Sequence, residues 1–215
     1  MIRHALAPVW PPAAQALALP RTLPTNGVTL TFDDGPHPEG TPTVLELLAR
    51  AGARAVFFVV GEQVLRRPAL VRDVAAAGHL IALHGHSHRL QLRLPRAVVE
   101  QDVKRGVAAV ADAIGERPKW HRPPYGIYSD SCLNAIHAHG MRPLLWSRWG
   151  KDWRGLTSPE RIARRASSNL NRGDVILLHD ADFYSARGSH RRTAQALALI
   201  LAELEHSSLT ATLPT

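Results

Sequence analysis

The chain has 215 residues, 45% of them hydrophobic and 20% charged, which is typical of a folded globular domain and excludes a disordered chain. Its single cysteine, Cys132, excludes an intrachain disulfide and a cysteine-based zinc finger. The formal net charge of +8 suits an acidic polymer, an anionic lipid surface or a nucleic acid. The arginines are scattered in runs of at most two, so we expect a solvated basic surface and no specific nucleic-acid site.

Residues 1–25 are predicted to form a proline-rich N-terminal arm, and residues 26–215 a single domain. Prolines at positions 8, 11 and 12 interrupt the apolar core that a signal peptide requires. We therefore expect an extended arm packed on the domain, and a cytoplasmic location by default. No apolar stretch reaches the roughly 20 residues of a transmembrane helix, and no pattern indicates an oligomeric state.

From the Asn26-Gly27 turn onward, strand-like and helix-like segments alternate along the chain. Seven segments predict strands: 28–32, 54–60, 79–84, 118–122, 141–147, 174–178 and 208–213. Six segments predict helices: 41–51, 68–77, 95–114, 129–139, 158–171 and 190–206. This order predicts an α/β fold with parallel strands, either a barrel or an open doubly wound sheet. No GxGxxG or Walker loop supports a nucleotide-binding version.

Reactive side chains follow the ends of the predicted strands, and these ends meet at one rim of a parallel fold. They are Asp33, Asp34, His84, His88, Arg122, Asp152, His179 and Asp180. Two imidazoles and one carboxylate, from His84, His88 and Asp34, are the ligand set of a catalytic zinc site with an open position. The alternative for the histidine pair alone is a surface pair. The adjacent carboxylates favour a bound cation, or compensation by Arg122.

Such a metal site activates water, polarises a carbonyl, or does both. Asp33 is then the candidate to take a proton from water. His179, held by either Asp152 or Asp180, is the candidate to protonate a leaving group. The alternative for His179 is a structural histidine at a strand end.

Five segments, in chain order, resemble the motifs of the polysaccharide deacetylase family, the NodB-homology domain of carbohydrate esterases. They are TFDDGP at 31–36, HGHSH at 84–88, RPPYG at 122–126, Asp152-Trp153, and LLHD at 177–180. The resemblance implies a distorted, incomplete (β/α) barrel of about seven parallel strands.

The implied activity is metal-dependent hydrolysis of N-acetyl groups on an amino sugar of a glycan or glycoconjugate, such as a chitin oligomer or peptidoglycan, with release of acetate. The alternatives are an O-acetyl esterase acting on acetylated xylan-type glycans and a non-catalytic basic module that binds glycans or other acidic polymers. The family also often works at the cell envelope, so an envelope or secreted location is an alternative to the cytoplasm.

The resemblance also implies roles for individual residues. Asp33 would be the general base, positioned by Arg122. Asp34, His84 and His88 would bind one divalent ion, Zn²⁺ in the first place and Co²⁺, Mn²⁺ or Ni²⁺ as alternatives, since such sites discriminate poorly by affinity alone.

The remaining implied roles concern the substrate. The backbone N–H of Tyr125 would help to stabilise the oxyanion, and His179, tuned by Asp152, would protonate the departing amine. Trp153 and Leu178 would form the small pocket for the acetyl methyl group.

Several positions depart from the family pattern. Gly85 stands where Ser or Thr is usual, which removes a hydrogen bond that could support the metal ligands. Trp149 stands where an aspartate is common and could reshape the groove, and His121 replaces an aromatic or apolar residue. We expect the polar, aromatic segment 181–190 to be the main source of substrate specificity.

Overall fold

The computed structural model describes residues 2–214. Its seven strands form one sheet in the order β5-β4-β3-β2-β1-β7-β6. They are β1 (Thr29–Asp33), β2 (Ala55–Val59), β3 (Leu80–Leu83), β4 (Trp120–His121), β5 (Arg142–Pro143), β6 (Arg148–Trp149) and β7 (Val175–His179). The helices are α1 (Ile2–Leu6), α2 (Pro11–Ala16), α3 (Gly40–Arg50), α4 (Gly61–Arg66), α5 (Pro68–Ala76), α6 (Arg96–Ile114), α7 (Asp130–Ala138), α8 (Pro159–Ser167) and α9 (Ser189–His206).

All the neighbouring strands of this sheet run parallel. The edge strands β5 and β6 are not paired with each other within residues 2–214, so the curled sheet is an incomplete barrel, as predicted. Every residue of β1 and β2 is buried, because the sheet is covered on both faces. In the described part of the chain, no helix is long and apolar enough to cross a bilayer.

The register of the sheet places the reactive strand ends together. Asp33 lies opposite Phe58 of β2 on one side and His179 of β7 on the other. Leu83, the residue before the first motif histidine, lies opposite His121, the residue before Arg122. The carboxyl ends of β1, β3, β4 and β7 therefore form one rim.

The N-terminal arm differs from the expected extended conformation, because it contains the two short helices α1 and α2. Pro11 and Pro12 begin α2, where proline suits the first helical turn. The arm is packed on the domain: the backbone N–H of Leu145 donates to the Pro20 carbonyl at 2.8 Å, and that of Leu23 donates to the Gly173 carbonyl at 2.9 Å. Met1 and Thr215, the outer ends of the predicted arm and domain, lie outside the described residues.

The predicted strand at 208–213 is wrong. This segment makes one isolated bridge, between Val28 and Ala211. From Leu30 onward, both edges of β1 are already occupied by β2 and β7, so no further strand can pair there.

The predicted strand at 141–147 is reduced to residues 142–143, and a separate strand, β6, begins just after the predicted range. Only residues 142–143 pair with β4, and residues 148–149 pair with β7 at the other edge of the sheet. Between them, the carbonyls of Leu144 and Leu145 accept hydrogen bonds from the Arg122 side chain at 3.1 and 2.8 Å. Because these carbonyls are engaged by a side chain, the segment does not continue as a strand.

Candidate active site

Asp34, His84 and His88 converge at the rim of the sheet. Asp34 Oδ1 lies 3.4 Å from His84 Nε2 and 3.2 Å from His88 Nε2. The three ligand atoms lie within 4.8 Å of one another, so they could hold one metal ion. Burial raises the pKa of Asp34, but the two imidazoles outweigh it and hold this pKa well below its usual range. The carboxylate is therefore ionised, as a metal ligand must be.

The backbone aims both adjacent carboxylates at this site. Successive strand residues point to opposite faces, so Asp33 and Asp34 could not both reach the site from a regular strand. Asp34 instead adopts φ 80°, which ends the strand and turns its side chain. The following Gly35 is required because a Cβ there would lie 2.5 Å from Asp180 Oδ2.

Two observations fit a metal at this site. His84 Nδ1 lies 2.8 Å from the Arg122 carbonyl, which can only accept, so Nδ1 carries the proton and Nε2 keeps its lone pair for a metal. Asp34 Oδ1 is buried and has no hydrogen-bond partner among the described residues. An oxygen buried without a partner is costly unless a cation meets it.

Asp102 of α6 holds the loop that carries the two histidines. Its carboxylate accepts hydrogen bonds from the backbone N–H groups of His86 and Ser87 at 2.9 and 3.0 Å. The sequence-based prediction missed this residue, although a signal exists. Asp102 lies beside Val99 and Gly106 on the buried stripe of α6, where a carboxylate needs a partner.

Asp33 is paired with a fully buried arginine. Arg122 Nη1 donates to Asp33 Oδ1 at 2.7 Å and to Thr31 Oγ1 at 2.9 Å. The guanidinium also lies over the Phe58 ring, with Cζ 4.0 Å from the ring centroid. Asp33 Oδ2 remains 3.8 Å from His84 Nε2, facing the candidate metal cluster. One carboxylate oxygen is therefore fixed by the arginine while the other faces the site.

His179 lies on the other side of the site. Of its two candidate partners, Asp152 and Asp180, it is Asp152 that holds it. Its Nδ1 lies 2.9 Å from Asp152 Oδ1, and its backbone N–H donates to Oδ2 at 2.7 Å. Thr193 of α9, which the prediction missed, donates to the same Oδ2 at 2.8 Å. The other candidate, Asp180, accepts a hydrogen bond from Thr41 instead.

The environment of His179 favours its protonated form. Burial lowers the pKa of His179, but the negative charge and hydrogen bond of Asp152, with contributions from Asp34 and Asp33, outweigh burial and raise it to about 10. At neutral pH the ring therefore carries a proton that it can donate.

Aromatic rings surround these groups in a pocket of about 260 Å³. On the side of the Asp34–His84–His88 cluster, the rings of Tyr125 and Tyr184 contact His88, with centroids 4.9 and 4.0 Å away. On the opposite side, Trp153 contacts His179 edge-on at 5.8 Å. The pocket thus places an apolar wall beside each polar group, as sugar-binding sites do.

The expectation for Leu178 is corrected by the structure. Leu177 lines the pocket, since it shares a strand face with His179. Leu178 points to the opposite face and is fully buried, near the position of Gly150.

A family profile described as polysaccharide deacetylase matches residues 21–144. The chain belongs to the polysaccharide deacetylase family. It is 36% identical over 181 residues to a peptidoglycan-N-acetylglucosamine deacetylase of Bacillus cereus, covering 83% of this chain and 81% of that protein. It is 37% identical over 166 residues to a chitooligosaccharide deacetylase of Sinorhizobium fredii, covering 74% and 77%.

Solved structures of polysaccharide deacetylases have the same fold. A family 4 carbohydrate esterase from Streptomyces lividans, in complex with acetate, has a TM-score of 0.78 at 32% identity and covers 88% of this chain and 93% of that chain. A peptidoglycan N-acetylglucosamine deacetylase, in complex with a substituted N-oxidanyl-benzamide, has a TM-score of 0.85 at 28% identity and covers 94% of each chain. The predicted family and fold class are confirmed.

The structure explains how this polysaccharide deacetylase accommodates its unusual residues. Gly85 has φ 76°, and a Cβ there would approach Asp102 Oδ2 to 3.2 Å, so glycine leaves room for the carboxylate that holds the loop. Trp149 lines the pocket and stacks on Trp153, with centroids 4.6 Å apart. His121 is fully buried, and burial lowers its pKa to about 3, so it is neutral.

Proposed function

We propose that the chain is a metal-dependent deacetylase that removes N-acetyl groups from an amino sugar of a glycan such as peptidoglycan or a chitooligosaccharide. The products are acetate and a free amine. The observation that carries this proposal is the placement of Asp33 and His179 around one His-His-Asp cluster, with Asp33 oriented by Arg122 and His179 held by Asp152. The Bacillus cereus and Sinorhizobium fredii relatives, named for these two substrates, support the substrate class.

We propose Zn²⁺ as the metal, held by Asp34, His84 and His88, because two imidazoles and one carboxylate form a common catalytic zinc set. When bound, the ion supplies Lewis acidity that activates water and polarises the acetyl carbonyl.

Asp33 acts as the general base in this proposal. Its Oδ1 accepts from Arg122 at 2.7 Å, so the guanidinium fixes the orientation of the carboxylate. Its Oδ2 remains free to take the proton of the attacking water. The role of Arg122 is therefore to position the base.

His179 acts as the general acid that protonates the departing amine. The raised pKa of about 10 keeps it protonated at neutral pH, and Asp152 fixes the ring through Nδ1. Nε2 is then the nitrogen left to deliver the proton. An amine is a poor leaving group unless it is protonated, so this proton is needed for amide hydrolysis.

The neighbouring residues complete the proposed site. The backbone N–H of Tyr125, in a turn at the pocket wall, contributes to stabilising the oxyanion. Trp153 and Leu177 enclose the acetyl methyl group. Five predicted reactive residues line one pocket: Asp33, Asp34, His84, His88 and His179. Arg122 and Asp152 bond to two of them, and this arrangement favours catalysis over the alternative of a non-catalytic glycan-binding module.

Acetate release from N-acetylglucosamine oligomers, peptidoglycan and acetylated xylan tests the proposal, with chelator-treated protein before and after Zn²⁺ addition. Zinc-dependent release from the N-acetylated substrates is expected. Asp34→Ala should lose zinc and activity together, whereas Asp33→Asn should keep zinc and lose turnover. Normal turnover by Asp33→Asn would contradict the assigned base, and release from xylan alone would favour the esterase.

A further inference from the structure

The segment 181–190 comprises the loop after β7 and the first two residues of α9, and it presents Tyr184 to the pocket. The Tyr184 ring stacks on His88, with a centroid distance of 4.0 Å and an angle of 6° between the planes. Its hydroxyl accepts a hydrogen bond from Gln63 Nε2 at 3.3 Å. The residue is 37% exposed, so one face covers a metal ligand while part of the ring remains open to the pocket.

The same loop is held from behind by a second cluster, which we name the Asp182 clamp: His37, Asp182 and His190. Asp182 Oδ1 lies 3.2 Å from His37 Nε2, and Oδ2 lies 3.3 Å from His190 Nδ1. Both histidines are 6% exposed. The backbone N–H of Gly188 also donates to Asp182 Oδ2 at 2.6 Å. The clamp thus joins the loop to the segment before α3 and to the start of α9.

The clamp has the residue types of the catalytic cluster but a different placement of protons. His37 Nδ1 accepts hydrogen bonds from the backbone N–H groups of Gly40 and Glu39, at 2.9 and 3.2 Å. Burial lowers the pKa of His37, which favours the neutral ring. The single ring proton therefore lies on Nε2, facing Asp182, and a protonated nitrogen does not bind a metal. In His84, by contrast, the proton lies on Nδ1 and leaves Nε2 available.

Two consecutive loop residues make different contacts: Phe183 packs against the domain, and Tyr184 faces the pocket. Phe183 packs against the His37 ring at 4.8 Å and lies under the Arg67 guanidinium, 5.2 Å from Cζ. Tyr184, the next residue, turns to the pocket and His88. Fixing Phe183 and Asp182 against the domain therefore fixes the direction of Tyr184.

We propose that Tyr184 is a specificity-determining residue that contacts the sugar ring beside the metal ligands, and that the Asp182 clamp positions it. This inference rests on the proposed function, because it assigns a binding contact for the same glycan substrate. A partly exposed aromatic ring offers a flat apolar surface to the C–H groups of a sugar. Tyr184 carries out no proton transfer in the proposed reaction, so it contributes to substrate binding and not to chemistry.

Isothermal titration of zinc-loaded protein with triacetylchitotriose tests this inference, with Asp33→Asn in every variant to prevent turnover. Adding Tyr184→Ala should weaken binding about five- to tenfold, while the matched control Tyr184→Phe, which keeps the ring, should bind within about twofold of the parent. Asp182→Ala should weaken binding as much as Tyr184→Ala, and combining the two should add nothing, because the clamp acts through Tyr184. Asp182→Asn, which keeps the size of the side chain, replaces Asp182→Ala if that variant does not fold.

In protein that retains Asp33, Tyr184→Ala and Asp182→Ala should raise KM and leave kcat within about twofold of the parent, whereas Tyr184→Phe should leave both unchanged. Zinc content should stay at one ion per chain in all of them. Unchanged affinity in Tyr184→Ala, or the absence of measurable trisaccharide binding, would overturn the inference. Additive effects of the two substitutions, or loss of a second zinc ion in Asp182→Ala, would overturn the role of the clamp. Failure of the proposed function would give a different result, because protein that retains Asp33 would then release no acetate.

Discussion

Arg122 and Asp33 form a buried ion pair at the centre of the rim, with Nη1 and Oδ1 2.7 Å apart and the two residues 0% and 2% exposed. The arginine also donates to the carbonyls of Leu144 and Leu145, the segment that lies between the two edges of the open sheet. The same guanidinium therefore orients Asp33, the proposed base, and holds the segment that lies between the two open edges of the sheet.

We predict that Arg122→Met lowers the free energy of unfolding by about 3–5 kcal/mol, because it leaves a buried carboxylate and two carbonyls without their donor. Asp33→Asn should cost less, since Arg122 keeps Thr31 and both carbonyls as acceptors. Urea denaturation of chelated protein measures both values. Equal destabilisation by the two substitutions would contradict this ordering.

Asp102 should control metal affinity without touching the metal. We predict that Asp102→Asn lowers zinc affinity about 10- to 100-fold, because the amide keeps only one of the two oxygens that accept from the loop carrying His84 and His88. Competition with a chromogenic chelator measures the affinity. Asp112→Asn, at an exposed position of the same helix, is the matched control and should have no effect. Unchanged affinity in Asp102→Asn would show that the loop is held by other contacts.

The pH dependence of kcat should reflect the pair His179–Asp152. The pKa of about 10 predicts that the acid stays protonated through neutral pH and that kcat falls as the pH rises through this value. In Asp152→Asn the burial of His179 remains but the negative charge is lost, so the alkaline limb should move down by about one unit or more. A bound metal ion acts on the pKa of His179 in both proteins, so the difference between their alkaline limbs reports the charge of Asp152. Coincident alkaline limbs would remove Asp152 from this role.

The same raised pKa has a consequence for stability. The pKa of unfolded histidine is about 6.5, so the higher folded value means that protonation favours the folded state. This contribution is fully present below pH 6.5 and is lost as the pH rises through about 10.

Removing the acid should separate amide from ester substrates. We predict that His179→Ala lowers kcat on triacetylchitotriose by about 10²–10⁴-fold, because the amine must be protonated as it leaves. The loss on p-nitrophenyl acetate should be at least tenfold smaller, since p-nitrophenolate leaves without a proton. Parallel assays of the two substrates measure the difference. Equal losses would indicate that His179 serves another step.

The N-terminal arm should behave as part of the domain. Ala7, Ala13, Ala14 and Leu19 are buried. We therefore predict that deleting residues 2–19 lowers the free energy of unfolding by about 2 kcal/mol or more. Thermal or urea unfolding measures the change. Unchanged stability would support the predicted boundary at residue 25 as a true domain limit.

The elements that could be predicted from the sequence were those whose apolar and polar residues follow a regular local pattern. The apolar runs of β1, β3 and β7, followed directly by polar residues, were sufficient to place Asp34, His84 and His179 at one rim. The predicted strand at 208–213 failed because pattern alone does not reveal that both edges of β1 are occupied. The predicted strand at 141–147 failed because its carbonyls bond to a distant arginine.

The same distinction holds in the site. Asp33, Asp34, His84 and His88 stand in compact segments, so the sequence predicts their proximity. Supporting partners such as Asp102 and Thr193 lie on the helices α6 and α9, and the packing of those helices brings them to the histidine loop and to Asp152. The sequence-based prediction assigned Leu178, and not Leu177, to the pocket. His179 could have identified the correct residue, because residues two apart on a strand point to the same face.

The bonds made by Arg122 also set the order in which this site can be lost during evolution. Replacement of Asp33 removes one of several acceptors of the guanidinium and leaves the open sheet bridged. Replacement of Arg122 removes the bridge itself and disturbs the fold before selection can act on activity. Descendants of this protein that drift away from catalysis should therefore lose the carboxylate first and retain the arginine, as a remnant of the reaction it once served.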